Sequence, residues 1–221
     1  FIGIEEYDNA LPELDTPVND ATEMAKKLAS AQGFETMTLV NPTKQEIISK
    51  LQEVSAELNT HDSLMVYYAG HGYQMESNGR GYWLPRDAGT DDPAQWISNR
   101  DVARLFHRTP AKQIMLVSDS CYSGAFNKGS KNADIKEDDV RRLRAVMAMS
   151  SGGEQPVWDG GGDGHSIFAS KMLDTIQQGE VKGLPFYLDV KKKVVKVSPQ
   201  VPGYGAMTVP GYDKGADFIL N

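Results

Sequence analysis

The chain has 221 residues, 40% of them hydrophobic and 24% charged, the balance of a folded globular chain rather than a disordered or fibrous one. That length suits one α/β domain with a full core and is short for two. The net charge of −7 argues against a basic face for phosphate backbones, so no nucleic-acid partner is expected, and it leaves room for a negatively lined site that prefers cations.

No apolar run approaches the ~20 residues needed to cross a bilayer, and no secretory leader pattern is visible. No membrane partner is expected, and a cytoplasmic location is. Phe1 stands where a Met would, inside what reads as a strand, which leaves room for an upstream segment.

Phe1 to Ile4 reads as the end of a buried strand. Val18, Ala21, Ala25 and Leu28 recur at helical spacing from Val18 to Ala31, with Asp15 or Thr16 available as a cap. Glu35 to Val40 reads as a short strand. Thr43 caps a helix to about Leu58, with Ile47, Leu51, Val54 and Leu58 on one face. Leu64 to Ala69 is a continuous apolar run, as expected of a strand covered on both faces. Gly72 to Asp92 lacks a period and reads as a loop. Ser98 caps a helix through about His107. Ile114 to Val117 and Ala145 to Met149 are two further buried strands. The segments Gly124 to Asp139 and Ser150 to Gly164 read as loops. Ser166 to Gln177 and Asp189 to Val197 read as helices, and Phe218 to Leu220 as a last short strand. Strands alternating with helices give the fold class: α/β, a mostly parallel central sheet flanked by helices on both faces. Such a sheet binds ligands at the carboxyl ends of its strands.

Two motifs sit at those ends. Tyr67-Tyr68-Ala69-Gly70-His71-Gly72 places a histidine between glycines just past one buried strand, where the backbone turns tightly and a substrate chain can approach. Ser118-Asp119-Ser120-Cys121-Tyr122-Ser123-Gly124 repeats the design after another. Cys121 is the single cysteine of the chain, which excludes an internal disulfide framework and any Cys-rich metal site. A lone cysteine is most often a small buried hydrophobe. Paired with a strand-end histidine it becomes a nucleophile with its base, and the N–H groups of Gly72 and Cys121 are placed to bind a developing oxyanion. The two residues stand fifty positions apart.

On these residues the chain resembles the caspase-like cysteine peptidases, and is closer to metacaspases and their prokaryotic relatives, the orthocaspases, than to animal caspases. The matching residues are Tyr68 to Gly72, Asp119 to Gly124, and Val18-Asn19-Asp20-Ala21 upstream; Gly164 to Ala169 is similar to the start of the family's small-subunit region. The resemblance covers nearly the whole chain. It implies a caspase-hemoglobinase fold in a single domain, 1–221, with a large-subunit-like region to about 127, a flexible loop over about 128–139 and a small-subunit-like region over about 140–221. It implies His71 as general acid/base and Cys121 as nucleophile of an endopeptidase working through an acyl-enzyme, with Gly72 and Cys121 as the oxyanion hole.

The resemblance also assigns Asp20 and Asp119 to the pocket for the residue preceding the scissile bond. Taken alone, Asp20 is a first-turn helix acid and Asp119 a turn former. As a pair they suit the guanidinium of Arg or the ammonium of Lys, so protein or peptide substrates with Arg or Lys at that position are expected. Ser150, after the third buried strand, is expected as another wall of the pocket. Lys128, Lys131 and Lys136, in a small-residue polar loop, are candidate self-cleavage sites.

Two departures from the metacaspase pattern matter. Ala69 stands where those proteins commonly have serine. Ser98-Asn99-Arg100-Asp101 replaces their adjacent acidic pair, so no metal site is expected and no cofactor is required; calcium dependence is not favoured, Asp87, Asp91 and Asp92 being read as a solvated acidic loop. His61, His107 and His165 read as capping or surface residues, and Trp83, Trp96 and Trp158 as packing residues, Trp158 bordering the substrate groove. A monomer is expected. The alternatives are a peptide ligase or transpeptidase using the same acyl-enzyme, and a catalytically silent interaction module of the same fold. A nucleotide-binding α/β protein lacks its Gly-rich phosphate loop here.

Overall fold

The two apolar runs read as fully buried strands become the middle of a six-stranded sheet in the computed structural model, which describes residues 1–120, 142–152, 163–176, 181–207, 210 and 212–220. The elements in chain order are β1 (Ile2–Gly3), α1 (Pro17–Gln32), β2 (Leu39–Val40), α2 (Lys44–Glu57), β3 (Ser63–Ala69), β4 (Gly72–Met75), β5 (Arg80–Trp83), β6 (Ile97–Ser98) and α3 (Asn99–Arg108). They continue with β7 (Gln113–Asp119), β8 (Ala145–Ser150), α4 (Ile167–Leu173), β9 (Val181–Lys182), α5 (Gly183–Val194), β10 (Gly203–Ala206) and β11 (Ile219–Leu220). The sheet order is β10-β8-β7-β3-β1-β2. All its neighbours pair in parallel except β10, which runs antiparallel to β8 along one edge.

Successive side chains of a strand point to opposite faces, and that period sorts the core. Met65, Tyr67, Ala69, Met115, Val117, Met147 and Met149 face one side, where Ala21, Met24 and Leu28 of α1 meet Phe168 and Met172 of α4 and Phe186 and Val190 of α5. Val66, Tyr68, Ile114, Leu116, Val146 and Ala148 face the other, against Ile47 of α2 and Val102 and Phe106 of α3. Both faces of β3 and β7 are therefore covered by helices, which is why neither strand shows a polar alternation.

The helix termini follow their local chemistry. Thr43 forms a capping box with Glu46: its hydroxyl accepts from the Glu46 N–H at 3.3 Å, and the Glu46 carboxylate accepts from the Thr43 N–H at 2.7 Å. Ser98 and Ser166 cap α3 and α4 through the N–H groups of Asp101 and Ala169. Thr16 precedes α1 without a side-chain cap bond, and Pro17 supplies the preset first turn instead.

Several expectations change. The region from Gly72 to Asp92 is not a loop throughout. It holds the hairpin β4–β5, extended by β6 into a three-stranded antiparallel sheet. Asn78 and Gly79 (φ 65°) make the turn, an Asn-Gly signal masked because the flanking strands are half exposed and show no clean alternation. The strand expected over Glu35 to Val40 is confined to Leu39–Val40, and α4 is shorter than the span from Ser166 to Gln177. α5 begins at Gly183, before the expected Asp189, because Pro185 falls in the first turn, where no N–H is needed. β11 does not join the central sheet but pairs with β9.

α1 rests directly on β1 at Gly3, where a Cβ would fall on the Pro17 carbonyl oxygen and lie 2.7 Å from the Val18 Cα. Those atoms are backbone and cannot swing aside. Gly3→Ala is expected to destabilise the fold by about 1–3 kcal/mol or more, read as a lowered urea midpoint; an unchanged midpoint would contradict this packing.

Candidate active site

Every rung of the β3–β7 pairing joins residues fifty positions apart, from Ser63 opposite Gln113 to Ala69 opposite Asp119. His71 follows Ala69 by two residues and Cys121 follows Asp119 by two. The separation of the two motifs is thus the register of the sheet. Cys121 itself lies outside the described residues, as do Lys128, Lys131, Lys136 and Trp158. The Gly70 N–H reaches the Asp119 carbonyl at 3.4 Å, so the backbone beside His71 is tied to the end of β7.

His71 is held on all sides. Its N–H donates to the Tyr7 hydroxyl at 2.8 Å. Its carbonyl accepts from the Tyr68 hydroxyl at 2.7 Å and from the Leu84 N–H at 3.0 Å. Its Nε2 lies 2.8 Å from the Pro12 carbonyl oxygen. A carbonyl only accepts, so Nε2 carries the proton and Nδ1 is left as the basic nitrogen. The Tyr7 ring packs 4.8 Å from the imidazole, centroid to centroid. Gly70, at φ 153°, is tightly enclosed: a Cβ would sit 3.1 Å from both the Tyr68 and Tyr7 hydroxyls, which would have to give by a few tenths of an ångström. Gly72 opens β4 opposite Trp83.

Asp20, from the first turn of α1, and Asp119, the last residue of β7, are 1% and 4% exposed. Asp20 accepts from His165 Nδ1 through Oδ1 at 2.7 Å and from the Ser166 N–H through Oδ2 at 3.2 Å. Asp119 accepts through Oδ2 from the Ser166 hydroxyl at 2.5 Å and the Tyr67 hydroxyl at 3.4 Å. Burial and, next, the neighbouring charge of Asp119 push the Asp20 carboxyl up to about 7, against the pull of hydrogen bonds from His165, Ser166 and Thr16. Burial and the same two acids drive the Tyr67 hydroxyl well above its usual range, so it stays a donor.

Ser150 does not join this pair. It is in register with Ser118 and falls on the face of Val146 and Ala148, across the sheet from Met115 and Val117, whose face Asp119 continues. Ser118 there accepts from Trp83 Nε1 at 3.3 Å, and Trp83 stacks on Tyr68 at 4.4 Å. Trp83 and Trp96 are both packed in the interior. His165 is neither a cap nor a surface residue, since its Nδ1 sits on a buried carboxylate. Four contributors escaped the sequence: Tyr7, the Pro12 carbonyl, Ser166 and Tyr67. Tyr67 and Ser166 lie in segments the sequence singles out, Tyr67 opening the histidine motif and Ser166 in the Gly-His-Ser segment; Tyr7 and Pro12 had no such signal.

Among the described residues no cluster of three or more His, Cys, Asp or Glu is arranged to hold a metal. Asp87 accepts from the Lys44 N–H at 2.8 Å, and Asp92 and Asp101 accept from the Ala94 N–H at 3.0 Å and the Ser98 hydroxyl at 2.5 Å.

A strand-end histidine with an oriented imidazole, in register with the strand that leads to a lone cysteine, on a sheet sandwiched by helices, defines a caspase-like architecture. The caspase domain matches residues 1–212, and the chain belongs to that family of peptidases. It is 26% identical to a metacaspase-1 of Lodderomyces elongisporus, over 72% of this chain and 42% of that one. It is 30% identical to metacaspase-7 of Arabidopsis thaliana, over 68% of this chain and 40% of that one. The chain thus spans about two fifths of the length of these relatives. Among solved structures, caspase-1 of Spodoptera frugiperda superposes with a TM-score of 0.67 at 15% identity, over 98% of this chain and 88% of that one. A Geobacter sulfurreducens protein superposes with a TM-score of 0.67 at 18% identity, over 98% and 97%. At those identities the likeness is one of fold.

The acid pair has a cost that stability measures. An unfolded Asp titrates near 3.9, and folded Asp20 near 7. Between those values the folded chain keeps a proton that the unfolded chain has lost, so this group's contribution to stability falls as pH rises through the window. Above it the cost is present in full. Asp20→Asn removes the charge and keeps an oxygen acceptor. It is expected to raise stability at pH 8 by roughly 1–3 kcal/mol and to change it little at pH 4, read by urea denaturation at both. A variant no more stable at pH 8 would show that the pair is not under electrostatic strain.

Proposed function

We propose that this protein is a cysteine endopeptidase that cuts after Arg or Lys. The observation that carries this reading is the buried pair of carboxylates, Asp20 and Asp119, one strand from an imidazole whose Nε2 is already committed to the Pro12 carbonyl. A cationic side chain entering beside them relieves the repulsion between two acids that bulk water does not screen.

The chemistry follows from the named atoms. His71 Nδ1 takes the proton of the Cys121 thiol, and the thiolate adds to the carbonyl carbon of the scissile bond. The N–H groups of Gly72 and Cys121 bind the oxygen as it becomes an anion. The Pro12 carbonyl, accepting from Nε2, stabilises the imidazolium formed in this step. His71 then gives its proton to the departing amine, leaving a thioester. Water adds next, losing a proton to Nδ1, and the tetrahedral adduct collapses to carboxylic acid and free thiol. No metal enters these steps, so the reaction runs without calcium. The work is done by a monomer in the cytoplasm. Lys128, Lys131 and Lys136 supply the chain's own cleavage sites in the segment that divides the large-subunit-like from the small-subunit-like region.

A panel of fluorogenic peptides ending in Arg, Lys, Asp or Ala tests the reading. Wild type is expected to cut after Arg or Lys, and Cys121→Ala or His71→Ala to lose about a thousandfold or more in kcat. Asp119→Asn is expected to raise KM for the cationic peptides. Cleavage after Asp would keep the peptidase and remove the pocket assignment. Chelation is expected to leave the rate unchanged; a loss of about tenfold, some 1.4 kcal/mol, restored by calcium would overturn the metal-free reaction. Mass spectrometry of active protein is expected to show cuts after one or more of the three lysines, and an intact active chain would exclude obligatory processing.

A further inference from the structure

The motif that the proposed chemistry leaves unused is the turn Gly164-His165-Ser166. Gly164 sits at φ 81°, in the left-handed region, and its carbonyl accepts from the Asn19 side-chain amide at 2.8 Å. Asn19 precedes Asp20 on α1, so the turn is clamped to the helix that carries the acid. His165 then lands with Nδ1 at 2.7 Å from Asp20 Oδ1, its side chain 17% exposed. The next residue places its N–H on Oδ2 of Asp20 and its hydroxyl on Asp119. Each oxygen of Asp20 thus has a fixed donor, and the Thr16 side chain adds a third hydrogen bond to the carboxylate, which leaves about one of its four lone-pair sites for a ligand.

We propose that His165 is a positioning residue of the acidic pocket: its Nδ1–H donates to Asp20 and holds that carboxylate, ionised and oriented, to receive the cationic side chain of the substrate. This rests on reading Asp20 and Asp119 as the cation pocket. Asp20 Oδ1 lies 2.7 Å from Nδ1 and the Asn19 amide nitrogen 3.3 Å from it; the shorter contact, to a carboxylate, places the proton on Nδ1 when Asp20 is ionised. The donation is the first of the hydrogen bonds that oppose the upward push of burial and of Asp119 on Asp20. Without it Asp20 titrates at higher pH, and more of it is neutral when substrate arrives.

The charged and titratable groups around His165 are few. α1 contributes Asp20 and Glu23, the latter feeling the imidazole and paired with Lys26 at 2.7 Å. β7 contributes Asp119 and β3 contributes Tyr67, both bonded to the same cluster. From its own segment comes Asp163, whose carboxylate accepts from the Ser170 hydroxyl at 3.0 Å. Of the groups named, only Lys26 is a fixed cation, and it is paired with Glu23.

The experiment measures kcat and KM for Arg and Lys peptides from pH 6 to 9.5 in wild type, His165→Ala and His165→Asn, with the Asp20 titration followed by carbon NMR of Asp-labelled protein. In wild type, KM falls as pH rises through about 7, where Asp20 ionises. His165→Ala is expected to raise KM roughly tenfold at pH 7, to leave kcat within about twofold, and to approach wild type at pH 9, with the Asp20 midpoint moved upward. The Asn side chain can present an N–H near the position of Nδ1, so His165→Asn is expected to restore both the KM profile and the midpoint. A KM profile unmoved by His165→Ala overturns the proposal. So does a KM lowered at pH 6–7, which would make His165 a cation competing with the substrate. If wild type cuts neither Arg nor Lys peptides while the Asp20 midpoint still moves in His165→Ala, the pocket reading fails, and the contact stands as structural alone.

Discussion

Seven consecutive rungs join β3 to β7 in parallel, and the rest of the molecule is arranged around keeping that register. A parallel pair cannot be closed by a hairpin, so the chain must return across a face of the sheet. It does so through β4, β5, β6 and α3. Slippage by one residue would turn Met65, Tyr67 and Ala69 to the side now held by Val66 and Tyr68. It would also carry Asp119 off the face of α1, away from Asp20. Because both faces are filled by helices, slippage is penalised on both. The same packing that specifies the fold therefore fixes which acids meet, and sets the strand end after Ala69 beside the strand end before Cys121.

The acid pair is the counterpart of that rigidity. Two carboxylates almost withdrawn from water repel each other in a medium that screens them weakly. The chain supplies donors rather than a permanent cation: the Ser166 N–H and hydroxyl, His165 Nδ1 and the Tyr67 hydroxyl. Asp20 also stands in the first turn of α1, where the helix dipole favours negative charge. These groups orient the oxygens without cancelling their charge.

How much of this was legible in the sequence varies with how local the cause is. The central strands announced themselves because burial on both faces leaves uninterrupted apolar runs, and α2 because Thr43 and Glu46 are a complete capping box within four residues. The segment around His71 was legible as a few contiguous residues at the end of such a run, whereas Cys121 lies outside the described residues. The hairpin β4–β5 was missed although Asn78-Gly79 marks its turn, since half-exposed strands give no clean period. β10, the sequence Gly203 to Ala206, has little side chain with which to signal a strand and exists because β8 offers an edge to pair with. His165 looked like a surface residue because its partner is 145 positions away. The Pro12 carbonyl had no signal at all: it is a main-chain atom, brought to the imidazole from 59 positions away.

That last contact links two parts of the site that look separate. The connection between β1 and α1 supplies the Tyr7 hydroxyl to the His71 N–H and the Pro12 carbonyl to its Nε2. It then runs into α1, which carries Asp20 in its first turn. One stretch of chain thus orients the imidazole and delivers one of the two buried carboxylates. It is pinned between them: the Leu14 N–H donates to the Glu5 carbonyl at 3.0 Å, and the Val18 N–H to the Glu5 carboxylate at 3.0 Å. A displacement of this connection cannot move the carboxylate without also moving the acceptor that fixes the imidazole tautomer. The buried Asp20 carboxylate and the His71 imidazole are therefore mechanically joined through the residues between β1 and α1.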